Sequence, residues 1–176
     1  TPKIAGLLCS AIISDTLLFR SPTCTAVDEK IAGKLAKIAK IDMEEMAKAM
    51  FNAGSSMKGK SAEEICFQDF KQFTVGDTVF GVGQINSMSK EELEEIKETI
   101  EPYLPELLTK QRLHMVYFML TDILGESTEL LCCGNHARET IISAFDLRGD
   151  TDKIVLEDVV SRKKQLIPTL VSSLQQ

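Results

Sequence analysis

The chain is 176 residues long, 44% hydrophobic and 26% charged, with a formal net charge of −6. That length carries one complete domain with a sizeable core and part of a second, and the balance is ordinary for a soluble globular protein. An acidic chain lacks the basic surface that general nucleic-acid binding requires, so nucleic acid is not expected as a partner, while a local basic pocket for a small anion stays open.

The first residue is Thr1 rather than Met, and the residues after it already read as the inside of a packed element, so the chain is expected to be part of a longer protein. Cys9, Cys24, Cys66, Cys132 and Cys133 are odd in number and form no CxxC, which suggests neither a disulfide framework nor a zinc site and fits a reducing cytoplasm. The apolar run Ile4 to Ile13 is too short to span a bilayer and lacks the charged leader of a signal peptide. A cytoplasmic location without a membrane partner is the expectation.

In chain order, Ile4 to Ile13 is apolar almost all round and predicts a helix buried on every side, ending at Ser14-Asp15-Thr16. An amphipathic helix follows from Ala26 to Lys40, with Val27, Ile31, Leu35 and Ile38 as its core face. A third runs from Met43 to Asn52, turning Met46, Ala49 and Met50 inward. Gly54 to Lys60 is rich in Gly, Ser and Lys and marks the domain boundary. The organisation is thus a first part over 1–54, a linker over 55–60 and a second domain over 61–176. Ser61 to Glu64 forms a capping box that opens a short helix ending near Phe70. Lys71 to Val75 and Thr78 to Asn86 read as a hairpin turning at Gly76-Asp77. A long charged helix is predicted from Ser89 to Leu108, opened by a second capping box. His114 to Leu120 and Glu129 to Cys133 read as apolar strands, Asn135 as the cap of a helix reaching Phe145, Ile154 to Val160 as a strand, and Pro168 as the start of a closing helix. Strands interleaved with helices define the fold class: α/β, with a mixed β-sheet flanked by helices.

Two features could carry chemistry. Ser161-Arg162-Lys163-Lys164-Gln165 follows a strand and precedes a helix, which places three adjacent cations in a loop at a sheet edge. Such cations repel one another unless an anion sits among them; Arg grips phosphate with parallel N–H bonds and Lys adds a point charge. A solvated basic loop has the same pattern. Asp15 ends a nearly apolar element, where a carboxylate is costly unless something pairs with it; a hard divalent cation would do so, and so would a helix cap or a surface exit. Gly81-Val82-Gly83 lacks the setting of a dinucleotide site and reads as tight strand packing. His114 and His136 are isolated and read as structural. Asp122 follows an apolar strand directly, a place shared by functional carboxylates and strand terminators.

Together these stretches are more specific. Ala5-Gly6-Leu7-Leu8, Ala11 to Phe19 and Ser21-Pro22-Thr23 closely resemble the closing segment of the DHH domain in family II, manganese-dependent, inorganic pyrophosphatases. Lys60 to Glu64, Asp69-Phe70-Lys71, Gln84-Ile85-Asn86 and Thr121-Asp122-Ile123-Leu124 resemble successive landmarks of the DHHA2 domain, and Ser161 to Gln165 resembles its C-terminal signature. The resemblance implies the helical tail of a DHH domain followed by a complete DHHA2 domain. It implies hydrolysis of pyrophosphate with Mn2+, with Mg2+ or Co2+ as alternatives. Asp15 matches the aspartate that bridges two catalytic metal ions, and Lys71, Arg162 and Lys163 match the cations that hold the substrate phosphates. The remaining metal ligands of the family belong to motifs absent from this chain, so the chain alone is expected to be inactive.

The mechanism so implied is a metal-activated water attacking phosphorus while positioned cations stabilise the charge that develops. Closure of the two domains about Gly54 to Lys60 would expel water. The resemblance also implies a homodimer formed through the DHH domain. Alternatives are an exopolyphosphatase or prune-like phosphodiesterase with the same two domains, or a non-catalytic phosphate-binding module.

Overall fold

The computed structural model describes residues 1–148 and 152–175, and the chain divides into two compact units, Thr1–Ser56 and Met57–Gln176. The first unit is helical: α1 (Pro2–Thr16), α2 (Ala26–Ala39) and α3 (Met43–Ser55). Thr25 and Asp28 cap α2 reciprocally, and the hydrogen bonds from Thr25 hold the Asp28 carboxyl below the usual range. α1 is not buried on every side. Ala5, Cys9, Ile13 and Thr16 form its buried stripe, whereas Ile4, Leu7 and Leu8 are exposed. In α2 the buried residues are Ala32 and Ala36, and the expected core residues Val27, Ile31 and Ile38 face out. The reason is close packing through small groups: Cys9 donates to the Ala32 carbonyl at 3.6 Å, and a Cβ on Gly6 would lie 3.7 Å from Ala39. In α3 the fully buried residue is Ala47; Met46 and Met50 are half-buried and Ala49 is exposed. This helix runs through Gly54 to Ser55, one residue into the expected linker.

The second unit opens with α4 (Ala62–Cys66), capped reciprocally by Ser61 and Glu64. Its sheet contains β1 (Phe70–Val75), β2 (Thr78–Ser87), β3 (Met115–Asp122), β4 (Ser127–Gly134) and β5 (Ile154–Glu157), in that order. β2 and β3 are parallel and the other neighbours antiparallel, so the sheet is mixed, as expected. α5 (Lys90–Ile100) and α6 (Leu104–Lys110) make the β2–β3 crossover and, with α4, cover one face through Ile65, Ile96, Ile100 and Leu107. α7 (Ala137–Ala144) and α8 (Ile167–Leu174) cover the other through Ile141 and Leu170, with Leu166 just ahead of α8. β3 is central and buried along its whole length, which is why its sequence is a continuous apolar run.

Three local expectations are corrected. The single helix over Ser89 to Leu108 breaks into α5, a 3-10 turn at Glu101–Tyr103 and α6, because Pro102 and Pro105 each lack an N–H and favour the first turn of a new helix. His136, in a left-handed conformation, precedes α7 in place of a capping Asn135. β5 stops at Glu157, where Asp158 takes a φ of 58°. The Gly76-Asp77 turn is present, with Val75 paired to Thr78. Gly81 and Gly83 admit no side chain: a Cβ would sit 2.2 Å from the Phe70 ring and 2.5 Å from the Phe118 ring.

Candidate functional groups: a cationic turn in one unit, a lone carboxylate in the other

The connection from β5 to α8 is not an open loop. Val159 and Val160 are buried, Ser161 caps the next turn by accepting from the Lys164 N–H, and Arg162–Leu166 winds as a π-turn into α8. Its width follows from the Leu166 N–H donating to the Ser161 carbonyl, five residues back, at 3.3 Å. Turns of this width are common at functional sites. Gln165 closes it: its Oε1 accepts from the N–H groups of Val160 (2.9 Å) and Ser161 (3.0 Å), and its amide nitrogen donates to the Asp158 carbonyl.

Below the turn lies a partly buried polar network. The Gln84 amide nitrogen is 3.0 Å from Asn86 Oδ1, 3.1 Å from Thr121 Oγ1 and 3.0 Å from the Val160 carbonyl. Thr121 and Thr128 share a hydroxyl hydrogen bond, and Thr128 donates to the Val159 carbonyl at 2.6 Å. Gln84-Ile85-Asn86, Thr121-Asp122 and Ser161 to Gln165 are therefore neighbours in space. The supporting roles of Gln84, Thr121 and Thr128 were not read from the sequence. The signal was faint: polar residues at the ends of otherwise apolar strands.

Within the turn, Lys163 and Lys164 are exposed, but Arg162 is buried. Its Nη1 donates to the carbonyls of Asp69 (2.8 Å) and Val82 (3.0 Å), and its Nη2 to the Asp69 carboxylate (2.6 Å). These bonds seat the turn on the β1–β2 hairpin. Lys71 pairs with Val82 in register, and by strand alternation it shares a face with Phe73 and Val75, which pack against the α7–α8 side. Lys71 and Arg162 thus occupy the same face of the same hairpin, and Lys71 is exposed. Of the five guanidinium donors, three are used. The Nε–H and one Nη2–H have no partner among the described residues and remain available to the oxygens of an anion.

In the first unit, Asp15 sits in the last turn of α1 with its side chain exposed, so it does not pay the desolvation cost expected from the apolar sequence around it. Its backbone carbonyl accepts from Thr23 Oγ1 at 2.9 Å. Among the described residues no group of three or more His, Cys, Asp or Glu could hold a metal ion. A lone carboxylate falls short of the six oxygen ligands that Mg2+ or Mn2+ prefers, so these residues do not by themselves make a metal centre.

Asp122 terminates β3: Oδ1 accepts from the Gly125 N–H at 3.0 Å and Lys90 Nζ lies 3.6 Å from Oδ2. His114 accepts the Val79 N–H at its Nδ1, a structural role. Burial pushes the Cys66 and Cys132 thiols up to about 12, which leaves both unreactive near neutrality. No helix of the described residues is long and apolar enough to cross a membrane.

A mixed sheet between two helical layers, with a cation-rich turn seated on its edge hairpin through a buried guanidinium, defines an α/β domain. Residues 48–173 match the DHHA2 domain, and the chain belongs to that family. It is 42% identical over 173 residues to the probable manganese-dependent inorganic pyrophosphatase of Clostridium acetobutylicum, covering 98% of this chain and 56% of that protein. It is 46% identical over 168 residues to the cobalt-dependent inorganic pyrophosphatase of Clostridium perfringens, covering 96% of this chain and 30% of that one. The fold superposes, with a TM-score of 0.83 and 40% identity, on the crystal structure of a Methanococcus jannaschii protein assigned to the family II inorganic pyrophosphatases, over 100% of this chain and 57% of that one. The chain thus spans little more than half of the longer relatives it resembles, and less of the cobalt-dependent one.

Proposed function

We propose that this chain is the substrate-holding part of a longer inorganic pyrophosphatase, with Lys71, Arg162 and Lys163 binding the phosphates of pyrophosphate. The observation that carries the reading is the seating of Arg162 on the Asp69 and Val82 carbonyls, which puts the cationic turn on the face that bears Lys71. Pyrophosphate is a small polyanion, and in phosphoryl transfer most of the catalytic gain comes from fixed positive charge and positioning. Arg162 would offer its remaining N–H donors, with Lys71 and Lys163 as mobile point charges. The names of the relatives, manganese-dependent in one and cobalt-dependent in the other, support Mn2+ as the metal of the longer protein, with Co2+ or Mg2+ as alternatives. Asp15 would contribute one carboxylate to it. The domain assignment is part of the proposal: 1–54 as the end of a DHH domain, 55–60 as a hinge and 61–176 as the DHHA2 domain.

The test has two arms. Calorimetric titration with imidodiphosphate, a non-hydrolysable pyrophosphate analogue, should show binding by this chain that Lys71→Ala and Lys163→Ala each weaken. The chain alone should release no phosphate from pyrophosphate with Mn2+ present. Metal-dependent turnover by the isolated chain would refute the division of labour, and equal binding by both lysine variants would refute the clamp.

A further inference from the structure

We infer that Asp69 is a positioning residue: it fixes the plane of the Arg162 guanidinium so that the Nε–H and the free Nη2–H are held ready for the ligand. The inference rests on the proposed role of Arg162 in binding phosphate. Two carbonyls, those of Asp69 and Val82, bond to Nη1 alone. Bonds at one nitrogen hold the far edge of the planar group less firmly than contacts spread over two. The Asp69 carboxylate, 2.6 Å from Nη2, adds the contact at a second nitrogen.

Asp69 takes both terminal nitrogens, its carbonyl at Nη1 and its carboxylate at Nη2, and leaves the Nε–H and one Nη2–H to a phosphate. The Asp69 backbone is held separately, since its carbonyl also accepts from the Gln84 N–H at 3.1 Å. Removing the carboxylate should leave the strand in place and release only the guanidinium. The Asp69 side chain is half-exposed, so its charge is partly screened and does little to repel an incoming anion. What it supplies is order established before binding, which spares the ligand the cost of immobilising a long side chain.

The experiment compares wild type, Asp69→Ala and Asp69→Asn by titration with imidodiphosphate, by thermal denaturation, and by NMR of the Arg162 guanidinium nitrogens. Asp69→Asn keeps an oxygen that can accept from Nη2, so it is the conservative control. Asp69→Ala is expected to weaken binding at least about tenfold, with Asp69→Asn intermediate, and to merge Nη signals that stay separate in wild type. Binding by Asp69→Ala as tight as wild type, or tighter, overturns the inference, as do Nη signals already averaged in wild type. A purely structural Asp69 would lower the melting temperature while leaving the affinity of the folded protein unchanged, which also overturns it. Separate Nη signals in a wild-type chain that binds no imidodiphosphate would sink the phosphate reading and leave the fixed guanidinium standing.

Discussion

The side chain of Gln165 reaches back to the backbone of Val160, accepting its N–H at 2.9 Å, and so ties the end of the cationic turn to its beginning. The same oxygen takes the Ser161 N–H, so one amide replaces two backbone acceptors that a wide turn leaves missing. Truncation to Gln165→Ala orphans both donors and should cost about 1–3 kcal/mol of stability. Urea denaturation measures the loss, and amide exchange at Val160 and Ser161 should speed up with it. Unchanged exchange would mean that the turn holds itself without Gln165.

Arg162 and Lys163 are adjacent cations with opposite surroundings. Arg162→Ala leaves the Val82 carbonyl and the Asp69 carboxylate without their donors, and should destabilise the second unit by about 2–4 kcal/mol. Lys163→Ala removes an exposed side chain and should stay within about 0.5 kcal/mol of wild type. Thermal denaturation of the two variants separates these outcomes. A reduced affinity for a phosphate ligand is thus readable as a lost contact in Lys163→Ala, while in Arg162→Ala it mixes contact with scaffold.

Gly83 is a close-approach position on the face that carries Phe118. A methyl there would meet that ring at 2.5 Å, between a central strand and its parallel neighbour, where neither backbone can retreat. Gly83→Ala should therefore lose about 1–3 kcal/mol, read as a lower denaturation midpoint. A neutral outcome would show that the Phe118 ring can turn aside.

Lys97 lies mostly buried against Glu129. Burial by itself pushes its pKa down, but the hydrogen bond and charge of Glu129, with Glu94 nearby, outweigh it and hold the ammonium above its ordinary range. A raised folded pKa means that this pair contributes fully below the pKa of an unfolded lysine, about 10.4, and is lost as pH climbs through the folded value. The stability difference between wild type and Lys97→Met should be constant from neutral pH to about 10 and shrink above it. A difference that stays level to strongly alkaline pH would exclude Lys97 as its source.

Much of the second unit was legible along the chain because its signals are local. The Ser61–Glu64 capping box, the Gly76-Asp77 turn and the unbroken apolar run of β3 each depend on neighbours a few residues away. The prolines that split the long helix are equally local signals, since Pro102 and Pro105 each favour the first turn of a new helix. In the first unit, periodicity ranked side chains by hydrophobicity and so turned Val27, Ile31 and Ile38 inward. The helices instead meet through Cys9, Ala32 and Ala36, because close approach selects small size over apolar bulk.

The sequence by itself determined the class of fold and the order of its elements, and it offered Lys71, Arg162 and Lys163 as candidate cations for a phosphate and Asp15 as a candidate metal carboxylate. It also carried the family, since those landmarks recur in order through the chain. Only the tertiary structure decided that Arg162 is inside while Lys163 is outside. The acceptors that make a buried guanidinium tolerable come from Asp69, 93 residues away, and Val82, 80 residues away. A buried charge is stable only when paired and hydrogen-bonded, and pairing across that distance is set by how the hairpin and the turn pack. A pattern read along the chain carries polarity and spacing, and the partners that fix a charge in place exist only once the sheet has formed.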